Sequence, residues 1–416
     1  MCALALALAC VWGAELGDAV AKESGLPIGN LVAKPSVTID ALYDSNVLRT
    51  QLDPQGDFGL EIKPTFELVY PGDNFRWELQ AWYRFFTYFN LGGSNHDVLR
   101  TFTDFGVSSS FDVNRKGKVG FHFAPAFSNQ RSGRGVEAST GGDSDFAFQT
   151  TVATPLGVQF RPTKAFLIDV DGSWTWTRAY FPDEPLDTDP LVLGNSHDVA
   201  GKLKVDWRFF PRSHFLFEGS GGHVFQGDIS TAEVRHAPAM PADYFRVWAG
   251  LRGDVTRKLS LMGSVGYGNI FFGEEKQAQN LSGLDGFLGR FELALRPLIT
   301  QRIAFGFSRD FYFRYYASRI MDTQGYVKYR GLIAGRLAVL ADFSYTYRQL
   351  LADETDARSN SRTENQWSAG AGVEIMAKEW FHVTAKYRFS AVNPSSTNEG
   401  EYIDNRVNIG VIFGFR

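Results

Sequence analysis

The sequence predicts an all-β fold: a transmembrane antiparallel up-and-down β-barrel of about 18 strands with both termini periplasmic. Three observations predict it. The first is the end of the chain, where Val407, Ile409, Val411, Phe413 and Phe415 share one face and Asn408, Gly410, Ile412, Gly414 and Arg416 the other. A large apolar face suits lipid, and a small or polar face suits an aqueous lumen. The second is composition: aromatic residues make up 15% of 416 residues, with 36 Phe, 16 Tyr and 9 Trp, yet mean hydropathy is slightly negative. Residues that alternate between apolar and polar instead of clustering give this mixture. The third is spacing: alternating segments of roughly 10 to 15 residues recur at intervals of about 21, divided by alternately short and long polar connections.

No segment holds the roughly 18 consecutive apolar residues expected of a membrane helix. The apolar run Ala3 to Trp12 is shorter and reads as the core of a secretory signal, with a cleavage site at Ala19, Val20 and Ala21 before Lys22. The missing basic n-region predicts a start further upstream, and the box ending at Cys10 lacks the bulky first position of a lipoprotein signal. The expected division is 1–21 signal peptide, 22–33 short periplasmic segment, and 34–416 a single barrel. Both cysteines, Cys2 and Cys10, fall in the signal, so the mature barrel has no thiol for a disulfide, metal site or nucleophile. The dozen or so residues before the first strand leave no room for the folded plug of an energy-coupled transporter. A net charge of -4 gives no reason to invoke nucleic acid.

From about Lys34 the short connections are Pro71 to Asn74, Asn114 to Gly117, Pro162 to Lys164, Pro211 to Ser213, Thr256 to Lys258, Leu298 to Gln301, Ala334 to Arg336 and Lys378 to Trp380. These are expected to be periplasmic turns. The long ones, expected to face outside, are Asn46 to Gln55, Asn90 to Asp97, Gln130 to Ser144, Phe181 to Asn195, Gly227 to Ala242, Gly273 to Ser282, Tyr316 to Met321, Leu351 to Thr363 and Asn393 to Glu401. Eight turns and nine loops imply about 18 strands, with 16 the nearest rival. The division around Gly335 and the start of the first strand are the least defined.

Charge at mid-membrane is costly on the lipid side, so the charged set of each strand must face the lumen. That places Arg76, Trp82, Arg84, Lys202, Lys204, Arg208, Arg246, Trp248, Arg252, Arg290, Arg314, Lys328, Arg330 and Arg388 along the path of any solute. Glu61, Glu67, Glu78, Asp169, Asp171, Asp206, Glu292 and Tyr312 are interleaved with them. Sugars bind such surfaces, stacking C–H faces on rings while hydroxyls meet charged groups. The competing reading is that these charges pair across neighbouring strands and stiffen the wall. A ring of 18 strands tilted by roughly 40° has a backbone diameter near ~36 Å, reduced by side chains to about 15 to 20 Å. Loops Gln130 to Ser144 and Phe181 to Asn195 are long enough to narrow it further or to fold outward.

The turns lean basic and several loops acidic (Asp183, Glu184, Asp187 and Asp189; Asp353, Glu354 and Asp356). Two differently solvated rims explain this; a bias on an anionic polymer is the functional alternative. Of the seven histidines, His96, His122, His197, His214, His223, His236 and His382, none forms a metal-binding pair or neighbours a nucleophile motif. The run Gly142 to Asp145 sits in a loop without a partner histidine, and the acidic cluster Asp183 to Asp189 lacks calcium-loop spacing. No catalytic residue, metal site or cofactor is expected, and the chain is not expected to be an enzyme.

The stretch Asn408 to Phe415 resembles the C-terminal assembly signal of bacterial outer-membrane barrels, carried here by Asn408, Gly410, Phe413 and Phe415, although Arg416 follows the usual final aromatic. Tyr43 to Thr50 resembles the opening motif of outer-membrane barrels of the β-barrel porin 2 type. More narrowly, size and strand count look like the myxobacterial exopolysaccharide porins of the WzpX kind. These resemblances imply a Gram-negative outer-membrane location among lipid and lipopolysaccharide, insertion by the barrel-assembly machinery, and exit of a polysaccharide made by a Wzx/Wzy-dependent route. They also imply a periplasmic polysaccharide export protein and an inner-membrane copolymerase as partners, for which Arg115, Lys116, Arg212, Arg257 and Lys258 on the turns are the docking candidates. Passive nutrient uptake is the competing transport reading. A structural or adhesive barrel with a closed pore is the third.

Overall fold

The computed structural model describes residues 25–47, 54–89, 101–132, 147–180, 192–226, 241–272, 284–313, 319–351, 362–394 and 401–415. The proposed signal, most of the outer loops and Arg416 lie outside the described residues. Twenty strand segments follow in order. They are β1 (Leu26–Ile28), β2 (Leu31–Asp44), β3 (Asp57–Pro71), β4 (Phe75–Tyr88), β5 (Thr101–Val113), β6 (Val119–Phe123), β7 (Ala126–Ser132), β8 (Ala147–Thr163), β9 (Phe166–Tyr180) and β10 (Val192–Phe210). They continue as β11 (Ser213–Gln226), β12 (Ala242–Asp254), β13 (Leu259–Phe272), β14 (Leu284–Leu295), β15 (Gln301–Phe313), β16 (Arg319–Ile333), β17 (Leu337–Leu351), β18 (Arg362–Lys378), β19 (Phe381–Pro394) and β20 (Tyr402–Gly414).

Each strand pairs antiparallel with its neighbours in sequence, and β2 pairs with β20 from Ser36 opposite Gly414 to Asp44 opposite Arg406. The sheet is therefore closed. Segments β6 and β7 both lie between β5 and β8 and form one strand broken at Ala124 and Pro125. Counting them once, and setting aside the short β1, the ring has 18 strands. Closure gives every strand two partners, which is what a sheet needs where no water can satisfy its main chain. The 16-strand alternative falls away.

All eight short connections lie at one rim of the ring, where sequence patterning expects them. The division at Gly335 is a two-residue turn: Ala334 and Gly335 both have positive φ (50° and 69°), and the Arg336 amide donates to the Ile333 carbonyl at 3.2 Å. Two boundaries differ from expectation. The first barrel strand begins at Leu31, ahead of Lys34, and is preceded by β1 within the segment expected to be simply periplasmic. Because β3 occupies one edge of β2, β1 must lie on the other, continuing the edge that β20 vacates past Ser36. Strand β16 begins at Arg319, so Ile320 and Met321 are strand residues and not loop.

Exposed aromatics and aliphatics mark the outer face: Phe66, Tyr83, Phe105, Phe160, Phe291 and Phe305 stand for a band that runs round the ring. Their strand neighbours on the opposite parity are the charged and small residues, so the core of this molecule is a wall with lipid outside and a polar lumen inside. Among the described residues, no helix is long and apolar enough to cross a membrane.

Candidate functional site: the barrel lumen

Strand parity turns Arg76, Trp82 and Arg84 on β4, Lys202, Lys204 and Arg208 on β10, and Arg246, Trp248 and Arg252 on β12 toward the lumen. Arg290 on β14, Lys328 and Arg330 on β16, and Arg388 on β19 face the same way. Arg314 lies outside the described residues.

Many of these charges are paired along or across the wall. Arg84 pairs with Asp104 and lies 4.0 Å from Glu61; Arg76 pairs with Glu78 on its own strand. Lys202 meets Glu218 at 3.2 Å, Arg252 meets Asp206 at 2.7 Å, and His214 meets the other oxygen of Asp206 at 2.6 Å. Arg302 and the Tyr326 hydroxyl both donate to Glu292, each at 2.7 Å. Two tryptophans carry cations on their faces, Lys63 at 5.1 Å from the Trp82 ring and Arg290 at 4.0 Å from the Trp248 ring. Lys204 and Arg208 on β10, Arg330 on β16, and Lys386 and Arg388 on β19 have no charged or hydrogen-bonded side-chain partner among the described residues, and all but Lys204 are exposed. Wall-stiffening thus accounts for much of the charged set and leaves these five unexplained.

The lumen narrows where two hairpins bend inward. Pairing of β14 with β15 stops at Gly289 opposite Arg309, while β15 and β16 stay paired out to Phe313 opposite Arg319. In a smooth wall β12 and β15 would stand about 14 Å apart. Instead, Arg246 of β12 donates to the Phe311 carbonyl at 2.6 Å and lies 3.3 Å from Asp310. The outer end of β15 has therefore folded over the inner surface of β12 to β14. Phe311 (1% exposed) and Met321 (2%) pack there on Tyr244, Trp248, Ile270 and Leu288. Gly268 makes room, since a Cβ would strike the Phe311 ring. The β7–β8 hairpin repeats the device. Pairing of β5 with β7 stops at Phe105 opposite Asn129, after which the Arg131 amide donates to the Asp104 carboxylate at 2.8 Å. The Arg131 guanidinium covers the Phe102 ring at 4.3 Å, and Phe148 packs against the cluster of Leu42, Val47, Phe86, Tyr88 and Phe102. Of the two loops expected to be capable of narrowing the pore, the first turns inward over Gln130 to Ser132, and residues 133–146 and 181–191 lie outside the described residues. The β15–β16 hairpin was not legible as a constriction: Phe311 has lipid-facing parity, and only the lost ladder turns it inward.

The opening motif occupies the barrel seam. Asp44, 1% exposed, pairs with Arg406 of β20 and accepts from the Asn46 amide at 3.0 Å and the Tyr88 hydroxyl at 3.3 Å. The Asn46 side chain donates to the Ile403 carbonyl at 3.2 Å, and the Asn405 amide donates to the Ser45 hydroxyl at 2.8 Å. Residues Leu48 to Thr50 of the motif lie outside the described residues. At the other end of β20, Phe413 faces outward with its ring 5.1 Å from that of Phe381, and the Phe415 amide donates to the Pro35 carbonyl at 3.1 Å. Asn408 faces inward opposite Leu42, and Gly410 leaves the space that Asp40 fills.

Arg115, Lys116, Arg212, Arg257 and Lys258 are exposed on the turn rim, on the β5–β6, β10–β11 and β12–β13 turns. Lys116 reaches Asp73 of the neighbouring turn at 2.9 Å, and this hydrogen bond holds the Asp73 carboxyl below its ordinary value. Among the described residues no group of three His, Cys, Asp or Glu is placed to hold a metal ion.

No protein-family model and no curated protein matches the chain. Its fold is similar to that of a ferric enterobactin receptor from Pseudomonas aeruginosa, with a TM-score of 0.51 and 7% identity over 92% of this chain and 80% of the other. The outer membrane protein OpdK from the same organism gives 0.49 and 10% over 92% and 99%, and OccAB3 from Acinetobacter baumannii gives the same figures. At such identities the likeness concerns the fold. The chain has the fold of an outer-membrane β-barrel. Its outer apolar band is the surface that such a barrel turns to lipid.

Proposed function

We propose that this barrel is a passive export channel for a polysaccharide, with the lumen as a polar conduit and the driving force supplied from the periplasm. The observation that carries the reading is the inner wall itself: cation-capped tryptophans and unpartnered arginines and lysines line a closed ring, the mixture that a hydroxyl-rich chain can slide along. The likeness of Tyr43 to Thr50 to the opening motif of the β-barrel porin 2 type, barrels often linked to exopolysaccharide production, supports it, and the basic turn rim offers a docking surface for a periplasmic export protein and an inner-membrane copolymerase. The reading assigns the chain no chemical step. Nutrient uptake by diffusion is the second reading, favoured by the two inward hairpins, because a fixed narrowing suits small solutes as well as an extended chain.

The test is surface polysaccharide after deletion of the gene, with complementation by the intact barrel. Loss of surface polymer and its restoration are expected for export. Unchanged polymer removes that reading and leaves uptake.

A further inference from the structure

Three of the unpartnered cations, Arg330, Lys386 and Arg388, share one wall. Across β16 to β19 the register aligns Lys328, Asp342, Gly370 and Arg388 in one row and Arg330, Leu340, Gly372 and Lys386 in the next. The two rows hold four cations against one carboxylate. Gly370 and Gly372 bring no side chains to the middle, where only Asp342 and the stem of Lys386 lean in. The result is a shallow recess flanked by Arg330 on one side and Lys386 and Arg388 on the other, with Asn408 beside Lys386. The flanking groups nearer the rims are satisfied within the wall: Glu374 with His382 at 2.7 Å, Arg348 with Asp322 at 2.9 Å, and Arg406 with Asp44.

The opposite wall is mixed, since its carboxylates Asp171 and Asp169 stand in register with Lys202 and Lys204 of β10. In a ring of 18, β9 stands nine strands from β18, so Asp169 and Asp171 face the recess across the lumen. The cations and these carboxylates lie three to seven residues in from the turn ends of their strands, at similar depth. His122 stands 2.8 Å from Asp171, while one Asp169 oxygen is buried without a hydrogen bond. A solute at this depth meets mixed charge on the β9–β10 side and an excess of cations on β16–β19, so its negative groups are drawn to β16–β19.

We infer that the recess formed by Arg330, Lys386 and Arg388 over Gly370 and Gly372 is a binding station for carboxylate-bearing solutes, and that the translocated glycan is an acidic, uronate-containing one. The anion preference stands on the wall alone; the glycan class rests on the export reading. Two guanidinium forks match carboxylates, and the ammonium of Lys386 adds a mobile third contact.

The experiment is planar-bilayer recording of the full barrel under a potassium chloride gradient, with oligogalacturonate and an equally long neutral maltodextrin as blockers. Wild type is expected to be anion-selective and to be blocked by the acidic oligomer at roughly tenfold lower concentration than by the neutral one. The R330Q/K386Q/R388Q variant is expected to lose that difference and to drop its chloride-over-potassium ratio by about threefold. D169N/D171N is expected to move the ratio the other way. Heat-shifted mobility on gels confirms that each variant is folded. A non-selective or cation-selective wild type overturns the inference, as does a folded triple variant that keeps its selectivity. Anion selectivity beside unchanged surface polymer in the deletion strain would remove the export reading alone.

Discussion

Asp44 shows how much one side chain can decide. It is buried at the seam, where its partner Arg406 is one-third exposed to the lumen, so Asp44→Ala leaves a cation half-stranded, an amide unsatisfied and Tyr88 without an acceptor. The expected loss is about 2 to 3 kcal/mol, below that of a fully buried pair because the lumen hydrates Arg406. Urea unfolding in detergent, with Asp44→Asn losing less, checks it. Ala334 is a smaller case. Its φ of 50° lies in the left-handed region where a Cβ crowds the chain, and asparagine tolerates that region better. Ala334→Asn is expected to stabilise the barrel by about 0.5 to 1 kcal/mol in the same assay. Neither residue announced its role in the sequence. Asp44 alternates like any lumen residue, and its partner lies 362 positions away.

At the scale of elements, patterning located strands and turns well because lipid on one side and water on the other enforce alternation on every strand. Lys202, Lys204 and Asp206 facing inward between Val199, Leu203 and Trp207 facing out show how sharply. Patterning failed where a hairpin leaves the wall: Phe311 and Met321 look lipid-facing and are in fact packed on the inner surface of β12 to β14. A lost ladder is invisible to periodicity, since it changes partners and not the residues themselves. Arg246 fastens this hairpin through Asp310, the Phe311 carbonyl and the Phe311 ring, with its guanidinium 4.4 Å from the ring centroid. Arg246→Ala is expected to free the hairpin and raise single-channel conductance by about 1.5- to 2-fold with the ring intact. Unchanged conductance would mean that the hairpin holds its place without the arginine.

For the whole molecule, 18 strands and a polar lumen were legible, and the placement of the open cations in that lumen was not. Composition counts charges but cannot tell Arg388, left open, from Arg84, held by Asp104; only register and pairing separate them. Removing residues 413–416 takes away Phe413, its contact with Phe381 and its pairing with Val37. The truncated chain is expected to lose heat-resistant gel mobility, which a closed sheet supplies. The seam also has a meaning in time. Strand β2 is made first and its counterpart β20 last, so Asp44 gains the cation of Arg406 only when the ring closes. Neutralising that charge and sealing the cylinder are one event, so the closed ring holds an ion pair that the open sheet lacks.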